Sequence, residues 1–280
     1  MTQPGGAADI RAALTFIVPQ DTKPYFESSA LTGSEPRVFF KTEQCIVTIH
    51  DVRPGAPGFS LDREGVELWG HQTAVEDFYD DRALDAVYDR ELESFLRAAT
   101  GADRVVTFDR TRRSDSPQGA ANPDGVRGPA DRVHVDYTVA SGPQRATDAL
   151  GEHEFDQVLR GGGRIAQVNV WRPISGPVRR TPLAFADASS IRSDELVPTD
   201  HVFPDRVGEI YHVAYGSGQR WYWVPEMQRD EVLLIKGWDS LVDGRARFTP
   251  HGAFALPNQE SKGIPRESIE VRTYLIFEGG

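Results

Sequence analysis

From residue 164 to the end the chain is a succession of short runs rich in β-branched and aromatic residues, at 164–172, 183–187, 209–215, 221–224, 231–235 and 268–277. Gly, Pro, Asp and Asn punctuate the gaps, and no stretch with a helical period separates one run from the next. A parallel sheet needs a crossover helix between successive strands. The pattern therefore argues against a doubly wound α/β fold and predicts a mainly β chain, a sandwich or jelly roll braced by helices.

The bracing helices are expected earlier in the chain. Over 81–99 the apolar positions Leu84, Val87, Tyr88, Leu92, Phe95 and Leu96 fall on one face at spacings of three and four, and Gly101 can stop the helix. A second helix is predicted over 148–159, ended by Gly161-Gly162-Gly163. Further strands are predicted at 13–18, 37–50 and 104–109. Residues 1–8 are Gly- and Ala-rich and expected to be disordered, whereas 111–130, full of Pro, Gly and charge without a period, reads as a mobile loop or lid. A single domain over 1–280 is long enough to bury a substantial core.

Composition narrows the function. A hydrophobic fraction of 39% is too high for disorder, yet no apolar run approaches the length of a membrane span. With no basic, apolar leader at the N-terminus, a cytoplasmic protein is expected. Cys45 is the only cysteine, which excludes an intrachain disulfide and a thiolate cage for metal. A net charge of -11 disfavours nucleic acid and anionic membranes, because phosphate binding needs clustered Lys and Arg.

The first motif that carries chemistry is Val133-His134-Val135-Asp136-Tyr137-Thr138. In a strand, residues two apart point to the same side, so His134 and Asp136 would share one pocket. An imidazole and a carboxylate side by side can occupy neighbouring positions on a divalent ion, and a distant His would complete a 2-His-1-carboxylate face. Alone, the pair is equally well read as a strand histidine hydrogen-bonded to its neighbour. His201, His212 and His251 compete for the third position, and His251 is favoured by the residues C-terminal to it. In a strand at 265–272, Arg266, Ser268, Glu270 and Arg272 share one face while Ile269, Val271 and Leu275 share the other. Arg266 and Ser268 are then spaced to bind one carboxylate together. The competing reading is a surface strand with ordinary Arg–Glu pairs.

The order of these motifs resembles Fe(II)/2-oxoglutarate oxygenases of the double-stranded β-helix fold. More specific are Val168-Asn169-Val170-Trp171-Arg172-Pro173-Ile174, Trp221-Tyr222-Trp223-Val224-Pro225-Glu226-Met227, Asp230-Glu231-Val232-Leu233-Leu234, Trp238-Asp239-Ser240 and Arg266-Glu267-Ser268-Ile269-Glu270-Val271-Arg272. These are similar to the CmcJ/NvfI family, which includes the cephamycin hydroxylase component and fungal meroterpenoid oxygenases, over nearly the whole chain. The resemblance implies a double-stranded β-helix (jelly-roll or cupin-like) core. It also implies oxidation of a small secondary metabolite, by hydroxylation, desaturation or cyclisation, with Fe(II), 2-oxoglutarate and O2. His134, Asp136 and His251 become the iron ligands, and Arg266 with Ser268 the 2-oxoglutarate clamp. The gap from His251 to Arg266 is longer than in many relatives of the wider superfamily, which leaves Arg272 a rival anchor. Asn169 and Trp171 become lesser co-substrate contacts. Two readings from other classes stand beside this one: a metal-dependent cupin-like hydrolase or isomerase, and a non-catalytic jelly-roll binding protein.

Overall fold

The expected strands pair into two principal sheets, described over residues 9–33, 36–257 and 263–279 of a computed structural model. The expectation for 1–8 lies outside these residues. The larger sheet runs, in spatial order, Ile10–Ile17, Thr42–Asp51, Trp221–Trp223, Leu183–Ala186, His251–Ala253, His134–Val135, Val207–Val213, Leu196–Val202, Tyr25–Glu27 and Arg37–Val38. It curls, because its edge strand Ile10–Ile17 returns to the middle through a parallel bridge from Thr15 to Arg132. The smaller sheet runs Val66–Gly70, Glu231–Asp239, Arg164–Ser175, Glu267–Phe277 and Arg104–Ser114, with every pairing antiparallel. The fold is mainly β with bracing helices and a jelly-roll core, as the strand pattern predicted.

Alternation along the smaller sheet divides its work. Ala166, Val168, Val170, Val232, Leu234, Ile269, Val271 and Leu275 face outward and pack under the helical stretch 81–100, against Leu84, Tyr88, Leu92 and Leu96. Each of those leucines is fully buried and contributes about 1.5–3 kcal/mol by its removal from water. The other face turns inward. There Trp171, Leu233 and Ile235 meet Phe185, Val224 and Met227 between the sheets. Gln167 and Asn169 share this inner face, and both are buried.

Three stretches differ from the sequence expectation, each for an identifiable reason. The helix expected over 148–159 is two, Ser141–Leu150 and Glu152–Arg160, turned at Gly151 with φ 86°. Ser, Gly and Pro at the start of the first hide it, although Pro143 is tolerated in a first helical turn. The run at 37–50 is divided into Arg37–Val38 and Thr42–Asp51. The third is 111–130, where strand pairing takes up part of the stretch. The strand Arg104–Ser114 continues through 111–114, and Ala120–Asn122 pairs with Gly125–Arg127 as a hairpin tied back by Asn122 Nδ2 to the Arg112 carbonyl at 2.9 Å. Buried charge conceals the strand's alternation. Arg110 and Arg112 face the helix and pair with Asp85, Asp89 and Asp81, so the outward positions read as polar.

Candidate metal centre and its cavity

His134 stands directly opposite His251 on one side and His212 on the other, in the middle of the larger sheet. Directly opposed residues of antiparallel strands point to the same face. The rings of His134 and His251 are consequently neighbours, with centroids 4.6 Å apart. Asp136 comes next on that face, and ligand atoms of His134, Asp136 and His251 all lie within 4.8 Å of one another. Among the described residues no other group of His, Cys, Asp and Glu is placed to hold a metal ion.

The hydrogen bonds behind these side chains decide what each presents in front. His134 Nδ1 lies 2.8 Å from the Arg132 carbonyl, and His251 Nδ1 lies 3.0 Å from the Thr249 carbonyl. A carbonyl only accepts, so each Nδ1 carries the hydrogen and each Nε2 turns a lone pair inward. Asp136 Oδ2 accepts from Asn169 Nδ2 at 2.8 Å and from Arg272 Nε at 3.0 Å, leaving Oδ1 on the histidine side, 3.6 Å from His134 Nε2. Burial pushes the Asp136 carboxyl upward, but Arg272, His134 and His251 outweigh it and hold the group well below the usual carboxylate range. Burial, with His134 beside it, lowers His251, which favours the neutral ring a metal needs.

Arg272 and Asn169, both expected as co-substrate contacts, reach Asp136. The Arg272 guanidinium also meets Glu270 at 2.6 Å, Asp109 at 2.6 Å and Thr111 at 3.0 Å. With Asp136 this engages all three of its nitrogens. Asn169 likewise reaches Asp136. Asn169, Arg272 and Asp109 form one cross-strand row directly behind that carboxylate. The two-residue strand period gives their face correctly, but where along the face each row meets the other sheet depends on sheet packing.

Arg266 behaves otherwise. It is 2% exposed, its Nε and Nη2 have no hydrogen-bond partner among the described residues, and its guanidinium lies 5.8 Å from the centre of the Trp171 ring. Burial, with Arg113 adding to it, lowers its pKa to about 10, so it stays charged at neutral pH. Arg266 and Trp171 line a cavity of about 300 Å³ together with His134, His251, Arg113 and Glu270. The metal face and an unpartnered guanidinium thus open onto one space. Ser268 is buried on the same strand face but is not among the lining residues.

The other histidines are occupied elsewhere. His201 lies between Phe26 and Phe203, each ring 4.0 Å away, and His212 packs against Phe26 and Phe40. Sequence reasoning passes over Arg113, whereas Glu270 lies on the strand face read as lining a cavity and does line it. Arg113 stands opposite Ser268, and that pairing is a long-range register which no local pattern reports.

Comparison with known proteins agrees with this geometry. A family model described as "Oxidoreductase/YMDC permease-like domain" matches residues 14–277. Alpha-ketoglutarate-dependent dioxygenase phiK of a fungal species is 33% identical, the match covering 82% of this chain and 83% of that protein. Hydroxylase/desaturase efuI of Hormonema carpetanum is 31% identical over 88% of each chain. Fe(II)/2-oxoglutarate-dependent dioxygenase nvfI of Aspergillus novofumigatus is 31% identical over 83% of each. The solved structure of the iron and alpha-ketoglutarate-dependent endoperoxidase NvfI superposes with a TM-score of 0.83 at 27% identity, covering 98% of this chain and 99% of that one.

Proposed function

The chain belongs to the Fe(II)/2-oxoglutarate-dependent dioxygenases, and from that premise we propose that His134, Asp136 and His251 hold Fe(II) while Arg266 anchors the far carboxylate of 2-oxoglutarate. The enzyme oxidises a small metabolite of the secondary kind, with O2 as oxidant and succinate and CO2 as by-products. One observation carries the residue assignment: the two histidines of the triad, each turning a lone pair inward, line the same cavity as a buried guanidinium that has no hydrogen-bond partner among the described residues. A dicarboxylic keto acid requires both, a metal for its keto-acid end and a cation for its other end.

Bound there, iron would supply the redox chemistry by which O2 oxidises first the keto acid and then the substrate. The protein's own part is positional. His134, Asp136 and His251 come from one face, which leaves the cavity side of the metal open. The Arg132 and Thr249 carbonyls hold the two rings in one tautomer, and Asn169 with Arg272 stops the Asp136 carboxylate from rotating. Arg266, packed over Trp171, selects a co-substrate with a second carboxylate. Leu183 and Ala253 keep part of the cavity wall apolar and exclude water from it. Residues 1–280 act as one domain in this reading, since both sheets contribute to the cavity.

Anaerobic addition of Fe(II) and 2-oxoglutarate tests the assignment. A weak visible charge-transfer band is expected, with succinate formed when air is admitted. His251→Ala should abolish both. No band together with no succinate from the wild-type protein would sink the reading.

A further inference from the structure

Arg113 is a second cation on the cavity, and neither the metal site nor the Arg266 anchor accounts for it. It sits on the strand Arg104–Ser114, opposite Ser268, and so on the same face as Arg266. Its Nη1 donates to the Gly128 carbonyl at 3.0 Å. Among the described residues no carboxylate makes an ion pair with either Arg113 or Arg266. The cavity's own carboxylate, Glu270, is already matched by Arg272 at 2.6 Å.

Two guanidiniums thus face one space of about 300 Å³ in a chain whose net charge is -11. Burial lowers both guanidiniums, and Arg113 lowers Arg266 further, while Glu270 opposes the shift in each. Unpaired buried charge is costly, and a chain this acidic had carboxylates enough to neutralise it. An arriving anion removes the cost.

We propose that Arg113 and Arg266 together clamp the terminal carboxylate of the co-substrate, Arg113 being a second anchor for it. The inference rests on the oxygenase reading above. A forked pair of guanidiniums holds a carboxylate in position as well as by charge.

Anaerobic titration of the Fe(II)-loaded protein, monitored by the charge-transfer band, separates the possibilities. Arg113→Gln is expected to raise the Kd for 2-oxoglutarate about ten- to a hundredfold, the worth of a hydrogen bond to a charged group. Its Kd for 2-oxobutyrate, which has the keto acid and no far carboxylate, should match the wild type, as should its Fe(II) affinity. Should Arg113→Gln lose its cooperative melting transition, Arg113→Lys carries the test, with the Kd raised about threefold or more because an ammonium lacks the planar fork. Folded variants that bind 2-oxoglutarate within twofold of the wild type would overturn the clamp while leaving the oxygenase reading intact. A wild-type protein with no band at all would overturn the oxygenase reading, and this inference with it.

Discussion

Asn169→Ala tests whether this residue steadies the metal ligand or touches the co-substrate. Asn169 is fully buried, donates Nδ2 to Asp136 at 2.8 Å and accepts Gln167 Nε2 at 2.6 Å. Losing a hydrogen bond to a charged carboxylate costs about 1.5–3 kcal/mol. The second loss strands the Gln167 amide, whose Oε1 already has no partner among the described residues, and a buried orphan of that kind costs about 1–3 kcal/mol. Together the metal-free protein should be less stable by about 3–5 kcal/mol, a large part of the roughly 5–15 kcal/mol that a folded domain possesses. Asp136 keeps Arg272 on the same oxygen, so it remains ionised at neutral pH but is free to swing. Fe(II) affinity should consequently fall about ten- to a hundredfold, as it does when an outer partner of a metal ligand is removed. Urea unfolding of the metal-free protein gives the first number. Anaerobic titration with Fe(II) at saturating 2-oxoglutarate gives the second. An unchanged Fe(II) affinity with a tenfold weaker Kd for 2-oxoglutarate would refute the argument and restore Asn169 as a co-substrate contact.

Two further outcomes are expected from the packing. Burial, with Arg127 and Arg206 nearby, lowers His201 to about 3, against about 6.5 in an unfolded chain. The folded state then binds fewer protons, so stability is present above pH 6.5 and is lost as the pH falls toward 3, by about 2 kcal/mol between pH 7 and 5. His201→Phe keeps the aromatic stack and removes that titration, so its urea midpoints at pH 7 and 5 should differ by correspondingly less than those of the wild type; an identical pH dependence would show that His201 protonates normally when folded. Gly142→Ala, a change that favours most helices, should instead lower the Tm by a few degrees. The new Cβ would lie within 2.6 Å of the indole nitrogen of Trp238, which is 2% exposed, and overpacking of that kind costs about 1–3 kcal/mol. A Tm at or above the wild-type value would count against the helix's placement.

Much of the site was legible because it is built from strand residues. His134 with Asp136, and Arg266 with Glu270 and Arg272, share faces as the two-residue period requires, since alternation is a property of the backbone. The helix over 81–100 announced itself through a face of leucines for the same kind of reason. What could not be read were the pairings. Arg113 opposite Ser268, His251 opposite His134, and Asn169 in a row with Arg272 join residues far apart in sequence, and nothing local encodes them.

The amino-acid order by itself determined the strand-rich architecture, the lone cysteine's exclusion of disulfides, and which polar side chains would face inward together. Only the tertiary structure decided the division of labour among them. Two arginines on one strand face, six residues apart, took opposite roles: Arg272 meets three carboxylates and steadies Asp136, whereas Arg266 meets none among the described residues and faces the cavity. An arginine's role depends on which charges surround it, and those charges arrive from other strands. Local periodicity sets which way a side chain points; sheet pairing and packing set what it meets.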